Sequence, residues 1–497
     1  MFGSATVTVT GTLPTITNFT VSPVSFVGSG GTATLTVTLS AAALAGGATI
    51  SLTTSNSTVF PVPVSFTVPA GQTTGSQTVT VGTVTASTLV TVTASYNSSS
   101  KSLVIPFVTA AMPIQHVVVI MQENRSFDNL FNGFPGADTV QAGIYLGTSV
   151  SLQVTPLGNG PSPDHTHPIW WQEWDGGLMD NFNDEGNMIP YSYISPTETV
   201  PYWTLASNFT LGDRMFQSNT GPSFVAHQYM IAGQSDQTSE DPSNSVWGCD
   251  SPAGTTVALV GPNGTDLPGI YPCFNYMTLG DLLDAKSISW RYYAPGAVSG
   301  DEGFEWSAYQ AISQIYFGPD WTGNVISPET QVLTDIANGK LAQVTWVIPA
   351  FNNSDHAGSP AQGPDWVASV VNAIGQSPFW NSTAIFISWD DWGGWYDHVP
   401  PPQVDNMGFG FRVPVIVVSP FAKHGYISHV NHTSAGFLRY TEEVFGLPTL
   451  GTRDNGADDF NDCFDYTQTP VPYVPVKTNH TVTFFLEQKP SGPPDDD

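Results

Sequence analysis

The chain has 497 residues, with 12 Lys and Arg against 41 Asp and Glu, a formal net charge of -29 at pH 7. A phosphate backbone would be repelled by that surplus, which argues against a nucleic-acid partner. Charged residues make up only 11% of the chain, so Ser, Thr, Asn, Gln and Gly must cover much of the surface, a pattern that suits export and use at low pH.

This length predicts two or more domains. Residues 1–108 are rich in Thr, Val, Ser and Gly and hold no His, Trp or Cys. Ala33-Thr-Leu-Thr-Val-Thr-Leu39 alternates Thr with apolar residues, and similar runs begin at Ile50, Val64, Gln77 and Leu89. Period-two runs separated by Gly, Asn and Ser turns predict an antiparallel sandwich. The pattern resembles the immunoglobulin-like modules of bacterial surface and secreted proteins. Ala5-Thr-Val-Thr-Val-Thr10 reads as a first edge strand or the last strand of a preceding module. No catalytic constellation falls here, so a spacer or binding role is expected.

The boundary lies between Phe107 and Pro113, which leaves residues 112–497 as the expected catalytic domain. Apolar runs at 117–121, 287–292, 344–348, 384–388 and 413–418 predict strands, with helices at 365–374 and 435–445 between them. That alternation predicts an α/β domain, a central mixed sheet flanked by helices. The Pro-rich tail from Pro470 is expected to be partly disordered.

Cys249 and Cys273 flank a Gly- and Pro-rich loop. They form one disulfide that leaves Cys463 free, or all three remain thiols. No apolar run is long enough to span a membrane, and no signal peptide is visible. A processed or shortened form of a longer exported protein is the expectation, secreted or at the cell surface. Oligomeric state is left open.

Three stretches hold residues suited to chemistry. Val117-Val-Val-Ile-Met121 runs into Gln122-Glu123-Asn124, which sets two oxygen donors at a strand's carboxyl end. Ligands collect there in open α/β sheets, and oxygen donors suit a metal; helix capping is the competing reading, with Ser126 as cap. Ala384-Ile-Phe-Ile-Ser388 leads into Asp390-Asp391, Gly393-Gly394 and Asp397-His398. Adjacent carboxylates repel unless a cation holds them; a solvated acidic loop is the alternative. Gly221-Pro222-Ser223 precedes an apparent helix, where Ser223 either faces an anion site or caps the helix. Histidines cluster at His165 and His167, at Asp355-His356, and at His429 and His432.

Taken together, these motifs resemble the bacterial phosphoesterase family of non-specific phospholipases C and acid phosphatases. Glu123-Asn124-Arg125-Ser126-Phe127-Asp128 looks like its opening motif. Tyr202 to Asp213 is similar to its helix before the nucleophile, and Gly221-Pro222-Ser223 to the nucleophile turn. Ser354-Asp355-His356, Asp390-Asp391 with Asp397-His398, and the stretch from Val417 through His429 to His432 follow in order.

The resemblance implies an alkaline-phosphatase-like fold and a metal-assisted serine mechanism. Glu123, Asn124, Asp390 and Asp391 would bind a divalent metal ion, and Ser223 would approach it as nucleophile. His356 and His167 would contact phosphate oxygens or the leaving group. Oxygen ligands favour Mg, Ca or Mn, and a His would open the site to Zn. Arg125 would bind phosphate or pair with Asp128. The phospholipase branch usually has Thr at Ser223, followed by Pro-Asn-Arg; here Phe224-Val225-Ala226-His227 follows. Asp391 stands where many members have Glu. Both features look more like the acid-phosphatase branch. The expected activity is therefore hydrolysis of a small phosphate monoester through a phosphoserine. The alternatives are a phospholipase C or other phosphodiesterase acting on a phospholipid head group, and a surface or adhesion protein carrying a decayed hydrolase.

Overall fold

Thr-Val alternation puts every second side chain on one face of a strand, and the first part of the chain folds accordingly. In the strand Thr32–Leu39, Ala33, Leu35, Val37 and Leu39 are buried while the Thr residues face outward. This strand lies between Ile16–Ser22 and Thr74–Thr80 in an antiparallel sheet. A second sheet runs Phe26–Val27, Ser99–Val108, Thr88–Tyr96, Ala48–Thr54, Ser65–Val68. Both sheets feed one core that includes Leu35, Val37, Ile50, Val90, Val92, Ile105 and Phe107.

The computed structural model describes residues 13–489, apart from 29, 85–87, 109–112, 184–185 and 297–302. The edge strand expected at Ala5 to Thr10 lies outside the described residues, as does the chain end beyond Lys489. The chain divides into two compact units, Met1–Pro113 and Ile114–Asp497.

The second unit is built on a mixed sheet in the order Val325–Ile326, Trp290–Tyr293, Val344–Val347, His116–Gln122, Thr383–Trp389, Arg412–Val418, Thr210–Phe216, Tyr426–Ser428. Helices such as Gly363–Gly375 and Ala435–Phe445 accompany it. The central strands are buried along nearly their whole length, which is why they read as unbroken apolar runs.

Register places the site. His116–Gln122 and Thr383–Trp389 are parallel neighbours, with Gln122 opposite Trp389. Both strands therefore end at the same level, and the next residues, Glu123 and Asp390, emerge side by side. The Asp390 amide donates to the Gln122 carbonyl at 3.0 Å. Thr210–Phe216 runs antiparallel to Arg412–Val418, itself antiparallel to Thr383–Trp389. Its carboxyl end thus points to the same edge of the sheet and delivers the loop before Ser223 there.

Two expectations need correction, and the tail is described only as far as Lys489. The stretch from Tyr202 to Asp213 is a helix only over Val200–Asn208; Thr210 onward is a sheet strand. Residues 287–289 precede their strand, because Ser287 adopts the left-handed region at φ 56°. The described part of the tail is ordered rather than loose. The Trp380 indole donates to the Val471 carbonyl, the amides of Asn479 and His480 donate to Asp365, and Phe485 packs on Trp366. Cys249 and Cys273 form a disulfide, and Cys463 is free and buried.

Candidate active site

The strand ends bring buried carboxylates together. Glu123 and Asp391 are fully buried and Asp390 is 4% exposed. Asn124 takes a left-handed conformation, φ 62°, and its amide donates to Asp390 Oδ1 at 2.9 Å. Gly393 permits this packing: a Cβ there would stand 2.2 Å from the Asn124 carbonyl oxygen. At Gly394 it would stand 2.6 Å from the Asp164 carbonyl. The glycine pair serves close approach.

Ser223 is the first residue of the buried helix Ser223–Ala232, which Gly233 ends in the left-handed region. Pro222 precedes it, so Ser223 is not the cap. Its hydroxyl donates to Asp391 Oδ2 at 3.2 Å, while Asp391 Oδ1 accepts from the Gly393 amide at 2.7 Å. Asp241 accepts from the Phe224 amide at 2.8 Å and satisfies part of the helix terminus.

His227, one turn after Ser223, shares its face of the helix. Its Nε2 lies 3.2 Å from Glu123 Oε1 and 3.6 Å from Asp390 Oδ2. These approaches are ion-pair distances without hydrogen-bond alignment. Both His227 nitrogens, both Glu123 oxygens, Asn124 Oδ1 and Asp390 Oδ2 are buried with no hydrogen-bond partner. By sequence alone His227 figures only as a departure from the Pro-Asn-Arg of the phospholipase branch and is given no role, although its four-residue spacing from Ser223 would have flagged one.

Burial pushes the Glu123 carboxyl well up, with Asp390 adding repulsion. Asp391 is raised for the same two reasons. Burial also works against ionising Asp390, but the contacts of His227, Glu123 and Ser223 outweigh it and hold that carboxylate low. Carboxyls crowded this closely resist ionising together unless a cation lies between them.

The histidines divide. His165 Nδ1 donates to the Pro163 carbonyl at 3.0 Å, which leaves Nε2 to accept from Asn124 Nδ2 at 2.7 Å. That bond turns Asn124 Oδ1 toward the unpartnered side. His356 lies edge-on to His165, ring centres 6.5 Å apart. Its Nδ1 donates to the Ala357 carbonyl at 2.7 Å, and burial, then His165, press its pKa down to about 4. His167 is engaged elsewhere: its Nε2 accepts from the Trp171 indole at 3.0 Å. The structure thus brings His165 to the cluster in place of His167.

Arg125 does not pair with Asp128. Buried and stacked over Trp395, it donates to the carbonyls of Asp355 and Leu157. Asp128 instead meets His398 at 2.6 Å. Asp397 takes a two-pronged contact from Arg412 at 2.7 and 3.0 Å. Asp397 and His398 therefore form a separate ion cluster with Asp128 and Arg412. His429 pairs with Asp213, and His432 with Asp458 and Ser428.

A cleft of about 310 Å³ opens beside the donors, lined by His165, Pro222, Glu240, Asp241, Asn244 and Trp247. Burial, with Asp241 and Asp266 nearby, pushes Glu240 up to about 9. Another cavity, about 240 Å³, lies among Pro295, Glu329, Asn353 and Phe485 and touches none of the clustered donors.

Residues 114–448 match the phosphoesterase family. The chain belongs to that family. This phosphoesterase is a phosphoric ester hydrolase, and its named relatives are phospholipases C. It is 24% identical over 446 residues to phospholipase C B of Mycobacterium tuberculosis, covering 73% of this chain and 80% of that one. It is 25% identical to the non-hemolytic phospholipase C of Pseudomonas aeruginosa, covering 67% of this chain and 54% of that protein. Non-specific phospholipase C6 of Arabidopsis thaliana is 25% identical, covering 73% and 74%. A solved structure of a protein in the alkaline phosphatase superfamily from Vibrio parahaemolyticus overlaps at 11% identity with a TM-score of 0.33, over 69% of this chain and 70% of that one. An overlap that loose carries no weight for fold or function.

Proposed function

We propose that this phosphoesterase hydrolyses phosphoric diesters of the phospholipase C kind, with a phospholipid head group as substrate and Ser223 as nucleophile. The observation that carries the reading is the Ser223 hydroxyl 3.2 Å from Asp391, beside donors that lack partners. The names of the relatives favour the diester over the monoester that the sequence puts first. Ser223 in place of Thr and Asp391 in place of Glu keep phosphomonoester hydrolysis as the second reading.

Glu123, Asn124, Asp390 and Asp391, with Ser223, would hold a divalent metal ion. The donor set fits one: Glu123 and Asp390, from two strand ends, offer oxygens close enough to share an ion, Asn124 Oδ1 beside them is also without a partner, and unpaired buried carboxylates are costly. When bound, the ion lowers the serine pKa and offsets charge on the phosphoryl oxygens. Asp391 orients the hydroxyl for in-line attack. His165 keeps the Asn124 oxygen turned toward the ion's place. His356 would face phosphate oxygens or the departing alcohol, the role the sequence gives to His356 and His167, whereas both His165 nitrogens are engaged with Pro163 and Asn124. Because His356 Nδ1 carries the donated proton, its Nε2 is free to accept a hydrogen bond from attacking water.

Residues 1–108 would be an immunoglobulin-like module with a spacer or binding role, and residues 112–497 the catalytic domain. The Cys249–Cys273 disulfide supports an oxidising compartment, secreted or at the cell surface.

Turnover of p-nitrophenyl phosphate, bis-p-nitrophenyl phosphate and phosphatidylcholine vesicles tests the reading. The diester and the lipid should be cleaved at least about tenfold faster than the monoester, a transition-state difference of about 1.4 kcal/mol. Cleavage of the monoester alone would overturn it in favour of the second reading.

A further inference from the structure

We infer that His227 is a nitrogen ligand of the ion, so that the site takes a borderline transition ion, zinc above all, rather than magnesium or calcium. The inference rests on the metal reading above and adds a residue that the family motifs do not supply.

Three observations converge on His227. First, it is 1% exposed, and neither ring nitrogen has a hydrogen-bond partner. Buried polar atoms are nearly always hydrogen-bonded, so an imidazole with no aligned hydrogen bond at either nitrogen points to a group that completes it. Second, its Nε2 stands 3.2 Å from Glu123 Oε1 and 3.6 Å from Asp390 Oδ2. Ligands held at about 2.0–2.2 Å from one ion stand roughly 2.8–3.6 Å apart, from six- to four-coordinate geometry, so the spacing is that of neighbouring ligands. Third, three carboxyls are crowded here, and the nearby Arg125 spends its guanidinium on carbonyls.

Two other clusters show the contrast. His432 lies near Asp462 and Cys463, but its nitrogens are already taken by Asp458 and Ser428. Asp128, Asp397 and His398 enclose the guanidinium of Arg412. Neither leaves an imidazole idle. At the Ser223 site the nitrogen sets the preference, since Mg²⁺ and Ca²⁺ take oxygen ligands whereas imidazole suits zinc and its neighbours.

The test uses the full chain, stripped by chelator and titrated by calorimetry with Zn²⁺, Mn²⁺, Mg²⁺ and Ca²⁺ singly. One Zn²⁺ per chain should bind, at least about a hundredfold tighter than Mg²⁺ or Ca²⁺. His227→Ala should weaken Zn²⁺ about a hundredfold or more while changing weak Mg²⁺ binding little. Glu123→Gln should weaken every ion. X-ray absorption of the Zn²⁺-loaded wild type should show imidazole scattering that His227→Ala loses; the wild-type spectrum stands even if that variant folds poorly. Unchanged Zn²⁺ affinity in a folded His227→Ala, or an all-oxygen shell in the wild type, would overturn the inference and leave the metal reading standing. A wild type that binds none of the four ions would overturn both.

Discussion

Ser223 and Asp391 are 168 residues apart in sequence and share a hydrogen bond of 3.2 Å in a region closed to water. A helix start and a strand end converge on it, and the candidate chemistry depends on that meeting. Ser223→Ala should lower kcat by on the order of 10³-fold or more, since a nucleophile's loss is not made up by its neighbours. Thermal stability should change little, because one hydrogen bond is worth about 1 kcal/mol net. Steady-state kinetics beside a melting curve separates the two effects.

Removing divalent ions should abolish turnover and destabilise the fold. An ion that binds only the native state adds about 2.7 kcal/mol at a concentration a hundred times its Kd. Melting curves with chelator, then with single ions restored, should show Tm rising by several degrees with the ion that restores activity.

Stability should fall at alkaline pH. Glu240 is raised to about 9, and Glu442 to about 8, chiefly by burial. A carboxyl raised in the folded state gives its full stabilisation below the unfolded pKa and loses it as pH climbs toward the folded one. Tm should therefore decline from about pH 5 toward pH 9, and Glu240→Gln should flatten that decline.

His356 works in the other direction. Its pKa falls to about 4 in the fold, chiefly through burial. Its contribution is present above the ordinary value near 6.5 and is lost as pH falls through 4, about 3 kcal/mol at most. Denaturant titrations at pH 7 and pH 4 should differ less for His356→Gln than for the wild type. An unchanged difference would show that His356 is not the group being titrated.

The Asp397–Arg412 pair holds the chain just beyond the donor loop, and both side chains are fully buried. Asp397→Asn removes the two-pronged carboxylate and leaves the guanidinium only the more distant Asp128, and should cost about 3 kcal/mol. Chemical denaturation measures this directly.

Much of the framework could be read from residue order alone. The buried strands announce themselves as apolar runs, and His116–Gln122 and Thr383–Trp389 each run into acids. What sequence does not carry is register. The pairing of Gln122 with Trp389 sets Glu123 beside Asp390, whereas Asp397 and His398, a few residues on, are drawn to Arg412. His165 and His167 are two residues apart, and the helix start between them sends one ring to Asn124 and the other to Trp171. Thr210–Phe216 escapes notice because Gly212, Asp213 and Arg214 interrupt its apolar pattern. The tail looks loose by composition, but Asp365 gathers its backbone amides.

Acid-quenching the enzyme during turnover of bis-p-nitrophenyl phosphate, followed by peptide mass spectrometry, asks whether the serine is covalently engaged. The peptide holding Ser223 should carry a p-nitrophenylphosphoryl adduct on that residue, one p-nitrophenolate having left, and Ser223→Ala should carry none. Undiminished hydrolysis by Ser223→Ala, or an adduct on a different side chain, would contradict the nucleophile assigned here.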